Sequence, residues 1–226
     1  MSVHLLLPAA GSGRRFGAAK AKQYYPVLGK PLIEWTLSCW QGPLISGQRL
    51  LMVHPQDQDI HQVHPAFPEY RLVTGGEERM DSVLAGLSAL DAADDDWVLV
   101  HDVARPCVRL SDIEALLERC ESTGIGGLLA TPLTDTVKRS HGGKISTVDR
   151  SELWAAQTPQ CFRYKPLLRA LTEAQREQVN LTDEASAMEW AGHPVQLVAG
   201  SRDNLKLTHP EDVTMIEAVL RAREVA

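Results

Sequence analysis

VHLLLPAAGSGRRFG, residues 3–17, is the stretch that sets the fold. Val3–Pro8 is a short apolar run bounded by turn residues and reads as a buried strand. It runs into Pro8-Ala9-Ala10-Gly11-Ser12-Gly13-Arg14-Arg15-Phe16-Gly17, with Lys20 and Lys22 a short distance on. Small residues let backbone N–H groups approach a phosphate closely, while the cations neutralise it. Two familiar glycine loops fail the comparison. A dinucleotide fingerprint needs GxGxxG, but Phe16 stands at the third glycine position, and the GK[ST] of a Walker A loop is absent. The plain alternative is a tight strand-to-helix turn with incidental surface cations.

Outward from that loop, apolar runs alternate with helical patterns. Arg49–His54, Tyr70–Thr74, Trp97–Asp102, Gly126–Pro132 and Val195–Ala199 read as further strands. Arg79–Leu90 places Val83, Leu84, Leu87 and Leu90 on one stripe. Ser111–Glu114 reads as a capping box for a helix through Cys120, and Thr208–Glu211 as another for a helix with core face Val213, Ile216, Val219 and Leu220. This alternation predicts an α/β fold with a largely parallel sheet, helices on both faces, and ligands at the carboxyl ends of the strands. Leu133–Glu152 breaks the pattern: polar, β-like on both sides of Gly142-Gly143, it reads as a projecting hairpin arm that clasps another subunit. Trp35, Trp40 and Trp190 read as core, Asp94-Asp95-Asp96 as a solvated loop, and His61 with His64 as a solvated pair without a third metal ligand.

Composition narrows the function. At 226 residues the chain suits one large α/β domain, 1–226. A net charge of −6 gives no general attraction to nucleic acid, so phosphate affinity must come from local Arg and Lys clusters. No apolar stretch reaches the roughly 18 residues of a membrane span, and the basic pair Arg14-Arg15 follows the first apolar run where a signal peptide needs it to precede. Cys39, Cys107, Cys120 and Cys161 form no CxxC pair, which suits reduced thiols and a cytoplasmic location.

LLPAAGSGRRFG followed by AKQYYPVLGKPLIEWTL is similar to the nucleotide-binding opening of the 2-C-methyl-D-erythritol 4-phosphate cytidylyltransferases. GGEERMDSVLAGL, VHDVARP, TDTVKR, VDRSELWAAQTPQCF, LTDEASAME and DNLKLT continue the resemblance in order along essentially the whole chain. It departs at Ala21, where many members carry proline, and at Val103, a common alanine. The resemblance implies a Rossmann-like three-layer sandwich of the nucleotide-diphospho-sugar transferase type, with a mostly parallel mixed sheet and 133–152 as a dimerisation arm. It implies transfer of CMP from CTP to a methylerythritol phosphate with release of pyrophosphate, aided by Mg2+.

In that chemistry the acceptor phosphate attacks the α-phosphorus of CTP, and cations stabilise the crowded negative centre. By resemblance Arg15 and Lys22 take this role, while Pro8, Ala9, Ala10, Gly11, Ser12 and Gly13 surround the nucleotide. Gly76, Glu77 and Ser82 join Ala9 and Ala10 in reading cytosine, with Ser82 also suited to capping its helix. Asp102, at the end of a predicted strand, is the first magnesium ligand and Asp203 the second, unless Asp203 only forms a turn. His101 reads as a packed strand residue. Arg105, Thr136, Arg150, Thr182 and Lys206 form the acceptor-phosphate pocket, Thr182 being suited also to capping a helix at Asp183-Glu184. Because Thr136 and Arg150 flank the arm, each site of a homodimer takes them from the neighbour. Ribitol 5-phosphate is the competing acceptor, and an NAD-dependent oxidoreductase or a silent nucleotide-binding module are the alternatives of another class.

Overall fold

The strand Val3–Pro8 (β1) is buried along all but its last residue, and its side chains alternate across a sheet. Val3, Leu5 and Leu7 enter one apolar cluster while Leu6 enters another. A computed structural model describes residues 1–11 and 21–224. After β1 come the two-residue strands Pro26–Val27 (β2) and Lys30–Pro31 (β3), the helix Leu32–Ser38 (α1), Arg49–Val53 (β4), Ile60–Val63 (α2), Tyr70–Thr74 (β5) and Arg79–Ala89 (α3). Trp97–Val100 (β6), Leu110–Thr123 (α4), Gly127–Pro132 (β7), Val137–His141 (β8) and Lys144–Val148 (β9) follow. Trp154–Arg163 (β10), Tyr164–Arg176 (α5), Glu184–Trp190 (α6), Gln196–Ala199 (β11) and Asp212–Glu224 (α7) complete the order.

Seven strands form one sheet in the order β11-β7-β10-β6-β1-β4-β5. β1 lies parallel to β4 and β6, β4 to β5, and β11 to β7, whereas β10 runs antiparallel to both neighbours. The sheet is therefore mostly parallel and mixed. Its two faces carry separate cores: Leu51, Leu99 and Trp97 join residues of α1, α2 and α4, while Leu50, Met52, Val98 and Val100 join those of α3, α5 and α6. Each such buried leucine contributes roughly 1.5–3 kcal/mol. A third cluster, with Val27, Leu32, Ile216 and Leu220, seats α7 against β2 and α1.

Helix ends depart from the sequence reading. α4 starts at Leu110 with Arg109 at the N-cap and no side-chain cap, so Ser111 sits inside the first turn. Asp112 accepts from Ser201 N–H instead, and Gly124 at φ 70° closes the other end by donating to Cys120 O at 2.9 Å. α7 starts at Asp212, whose carboxylate accepts from Thr208 and His209 N–H, both at 2.8 Å, replacing the expected Thr208–Glu211 box. Trp190 ends α6 at 38% exposure and is not core, whereas Trp40 is buried. Asp96 is not solvated: it is 7% exposed and accepts from Ser2 N–H, Ala93 N–H and the His4 ring.

β8 and β9 form their own two-stranded sheet, turned at Gly142 (φ 57°) and Gly143 (φ 75°). Positive φ at both central residues is the geometry of a tight hairpin turn matched to strand twist. Every residue of the two strands except Val137 and Val148 is exposed, Ile145 at 73%. No described helix is long and apolar enough to cross a membrane.

Candidate active site

The chain order turns at β1: β4 and β5 extend the sheet one way and β6 returns on the other side. The crevice beyond the carboxyl ends of β1 and β6 is where such sheets bind ligands. Pro8, Ala9 and Gly11 after β1, Asp102, Val103 and Ala104 after β6, and Lys22, Gln23, Arg79, Ser82 and Lys206 line a cavity there.

Its floor is a charge network. Asp102 accepts from Arg79 Nε on Oδ1 at 2.7 Å and from Lys206 Nζ on Oδ2 at 2.5 Å. Burial alone would raise the pKa of this carboxyl, but the two cations outweigh it and hold it far below the ordinary range. Arg79 forks onto Glu184 as well, Nη1 to Oε1 at 2.6 Å and Nη2 to Oε2 at 3.0 Å. Burial opposes its charge, yet Glu184 and Asp102 together raise its pKa above the usual arginine value.

A neutral relay fixes the turn after β6. Asp102 N–H donates to Thr158 Oγ1 at 3.0 Å, Thr158 Oγ1 lies 3.1 Å from His101 Nδ1, and His101 Nε2 lies 3.0 Å from Arg105 O. Burial pushes the His101 imidazole down to about 4. A neutral ring serves this chain with Nδ1 accepting from the threonine hydroxyl and Nε2–H donating to the Arg105 carbonyl. The ring is buried and packs edge-on against Trp40, so His101 is a packed residue, one position past the end of β6 rather than within the strand. Arg105 itself donates from Nη1 to Asn204 O at 2.7 Å, and its buried Nε has no hydrogen-bond partner among the described residues. Burial lowers its pKa.

On the opposite wall, Ser82 is 2% exposed and accepts from Gly76 N–H at 3.1 Å. Capping belongs to Glu78 and Asp81, whose carboxylate accepts from Glu78 N–H at 3.2 Å, leaving Ser82 to pin the Gly75–Gly76 loop. A Cβ on Gly76 would stand 2.3 Å from Asp81 Cβ, so the close backbone turn requires glycine. Glu77 is exposed on the same loop.

The structure thus brings Pro8, Ala9, Gly11, Lys22, Ser82, Asp102 and Lys206 around one cavity, with Ala10 buried against Gly75. Lys22 Nζ donates to Leu207 O at 3.5 Å. Ser12, Gly13 and Arg15 lie outside the described residues. Thr182 lines an adjoining cavity of about 620 Å³ that shares Arg79 and Lys206. It does not cap α6: Asp183 does, accepting from Ser186 N–H at 2.9 Å. Thr136 and Arg150 are exposed beside the hairpin and line neither cavity. Asp203 lines a different cleft, where Arg109 and Arg223 hold its carboxylate at 2.6 and 3.2 Å.

Four participants had no assigned role in the sequence reading: Gln23, Arg79, Thr158 and Glu184. Each lies inside a string that carries the family resemblance, and membership of such a string is the signal the sequence offers for Arg79 and Glu184. Gln23 Nε2 donates to Ala9 O at 2.9 Å and braces the loop after β1.

Comparison with known proteins identifies the family. The family model for 2-C-methyl-D-erythritol 4-phosphate cytidylyltransferase matches residues 3–222. The chain is 44% identical to the protein of that description from Vibrio atlanticus, over 97% of this chain and 95% of that one. It is 46% identical to its namesake from Shewanella oneidensis, over 97% of this chain and 88% of that one. The crystal structure of the Thermus thermophilus cytidylyltransferase superposes with a TM-score of 0.82 at 31% identity, covering 98% of this chain and all of that one (100%).

Proposed function

The chain belongs to the 2-C-methyl-D-erythritol 4-phosphate cytidylyltransferase family, and from that membership we infer its reaction. It is a nucleotidyltransferase that moves CMP from CTP to 2-C-methyl-D-erythritol 4-phosphate, giving 4-diphosphocytidyl-2-C-methyl-D-erythritol and pyrophosphate. The observation that carries the reading to this chain's own atoms is the cavity where Lys22, Asp102 and Lys206 meet the loop after β1.

The nucleotide lies over Pro8–Gly11, with Ser12 and Gly13 offering further main-chain donors to its triphosphate. Its cytosine lies between Ala9–Ala10 and the Gly76–Ser82 loop. The support is a wall of main-chain groups and small residues, which suits a pyrimidine. Arg15 and Lys22 bear on the α-phosphate and lower the cost of its developing charge. The acceptor lies toward Thr182, Lys206, Arg105 and Asp102. Arg105 carries a buried Nε without a partner among the described residues, a donor an anion would satisfy. Lys206 brings a charge that orients the attacking phosphate.

A divalent cation fits beside Asp102. Among the described residues no three His, Cys, Asp or Glu side chains gather to hold a metal. Magnesium uses one or two carboxylates and takes its other ligands from phosphate and water, so the single ionised Asp102 is a suitable donor. When bound, the ion neutralises charge across the phosphates. Asp203 is the weaker donor, since it lines a different cleft from the cavity beside the loop after β1.

The homodimer follows from Thr136 and Arg150, which serve the neighbour's acceptor site; their exposure beside a hairpin whose strands are exposed at all but Val137 and Val148 supports this. Four free cysteines suit a reducing cytoplasm. The test is pyrophosphate release and product mass with CTP, Mg2+ and either 2-C-methyl-D-erythritol 4-phosphate or ribitol 5-phosphate. Preference for the methylerythritol acceptor is expected; preference for ribitol would overturn the acceptor assignment.

A further inference from the structure

Arg79 stands where helix electrostatics oppose it. As the first residue of α3, its cation faces the positive end of the helix dipole. Two carboxylates distant in sequence hold it there. Glu184 takes both terminal nitrogens, and Asp102 takes Nε at 2.7 Å. Glu184 is 0% exposed, so no substrate reaches it. It opens α6 directly after Thr182 and Asp183, and that segment is tied to β10 by Gln160. Gln160 Oε1 accepts from Ala185 N–H at 2.8 Å and its Nε2 donates to Asp183 Oδ2 at 2.9 Å.

We propose that Arg79, braced by the buried Glu184, is a positioning residue that fixes Asp102, and through it the Lys206 ammonium, so that nucleotide and acceptor meet at one spacing. The proposal rests on the transferase reading above. Gripped by Lys206 alone, on a long flexible stem, the Asp102 carboxylate could rotate; the planar guanidinium fork, itself anchored at two points, removes that freedom. Buried ion pairs are often no more stable than an apolar filling of equal volume. Geometry, then, is what this pair supplies. Arg79 and Lys206 line both adjoining cavities, which places the fixed charges at the boundary where the two substrates meet.

Glu184→Gln and the double variant Arg79→Met/Glu184→Met separate positioning from stability. In Glu184→Gln, CTP affinity by calorimetry is expected within about threefold of wild type, while kcat/KM for the acceptor falls roughly ten- to a hundredfold. Its crystal structure is expected to show the Asp102 carboxylate rotated away from Lys206. The double variant removes both charges of the pair and is expected to regain thermal midpoint without regaining acceptor kcat/KM. An unrotated Asp102 with acceptor kcat/KM within threefold, or recovery of turnover together with the midpoint in the double variant, would overturn the brace. Wild-type protein that forms no product would overturn the transferase reading alone, and the Asp102 rotamer would still decide the brace.

Discussion

Gly75 lies so close to Ala10 that a Cβ on it would stand 2.5 Å from the Ala10 Cβ and 2.8 Å from the Ser82 hydroxyl. The loops after β1 and β5 therefore touch through a bare backbone. Gly75→Ala must push them apart, at a cost of about 1–3 kcal/mol in stability. Calorimetry should also register CTP affinity weakened by about tenfold. Unchanged affinity would mean that the nucleotide base does not use this wall.

Lys22 lines the cavity beside the loop after β1, at the edge of the apolar core and not within it. Lys22→Ala is expected to lower kcat by roughly 100- to 1,000-fold. Its thermal midpoint should stay within about 3 °C of wild type. A large drop in midpoint with proportionate loss of activity would assign Lys22 to folding.

Arg150 and Lys22 are expected to serve different halves of a shared site. Lys22→Ala and Arg150→Ala protomers, each nearly inactive alone, should recover about a quarter of wild-type turnover when unfolded and refolded together, since one site in each hybrid dimer is intact. No recovery from the mixture would show that Arg150 acts within its own chain.

Asp96 gives the fold an acid-sensitive clasp between the chain start and β6. Burial alone would raise its pKa, but hydrogen bonds from Ser2 N–H, the His4 ring and Ala93 N–H hold it below the ordinary value. The unfolded chain thus takes up the proton first as pH falls. The stability Asp96 contributes is full above about pH 4 and is lost below it. Urea unfolding of Asp96→Asn should show a deficit of about 1–3 kcal/mol at pH 7 that narrows toward pH 3. A deficit independent of pH would contradict the assignment.

How far the sequence carried the structure depended on where the physics was local. The runs at Val3–Pro8 and Tyr70–Thr74 are strands over those residues: Val3, Leu5, Leu7, Tyr70 and Leu72 meet one core, while Leu6 and Val73 meet the other. β10 escaped that reading, since Gln157, Thr158 and Gln160 are buried within it and Pro159 interrupts it. Proline is rare in a central strand, and here it falls where the pairing register shifts between Ala156 and Gln160. Pro8, Ala9, Gly11 and Asp102 were legible as cavity-lining residues from their place at strand ends. The link from Arg79 to Glu184 was not, because it joins residues 105 positions apart and neither is remarkable in its own segment. Asp203 shows the converse: its string resembled the family, yet its carboxylate turns to Arg109 and Arg223, which no local pattern reveals.

The central claim is that cations beside the loop after β1 hold a cytidine triphosphate for attack. A crystal structure with CTP and Mg2+ tests it most directly. The account predicts the α-phosphate within hydrogen-bonding distance of Lys22 and the cytosine against Ala10 and Gly76. Phosphates bound away from Lys22 and Asp102, in the Arg109–Arg223 cleft for example, would contradict it.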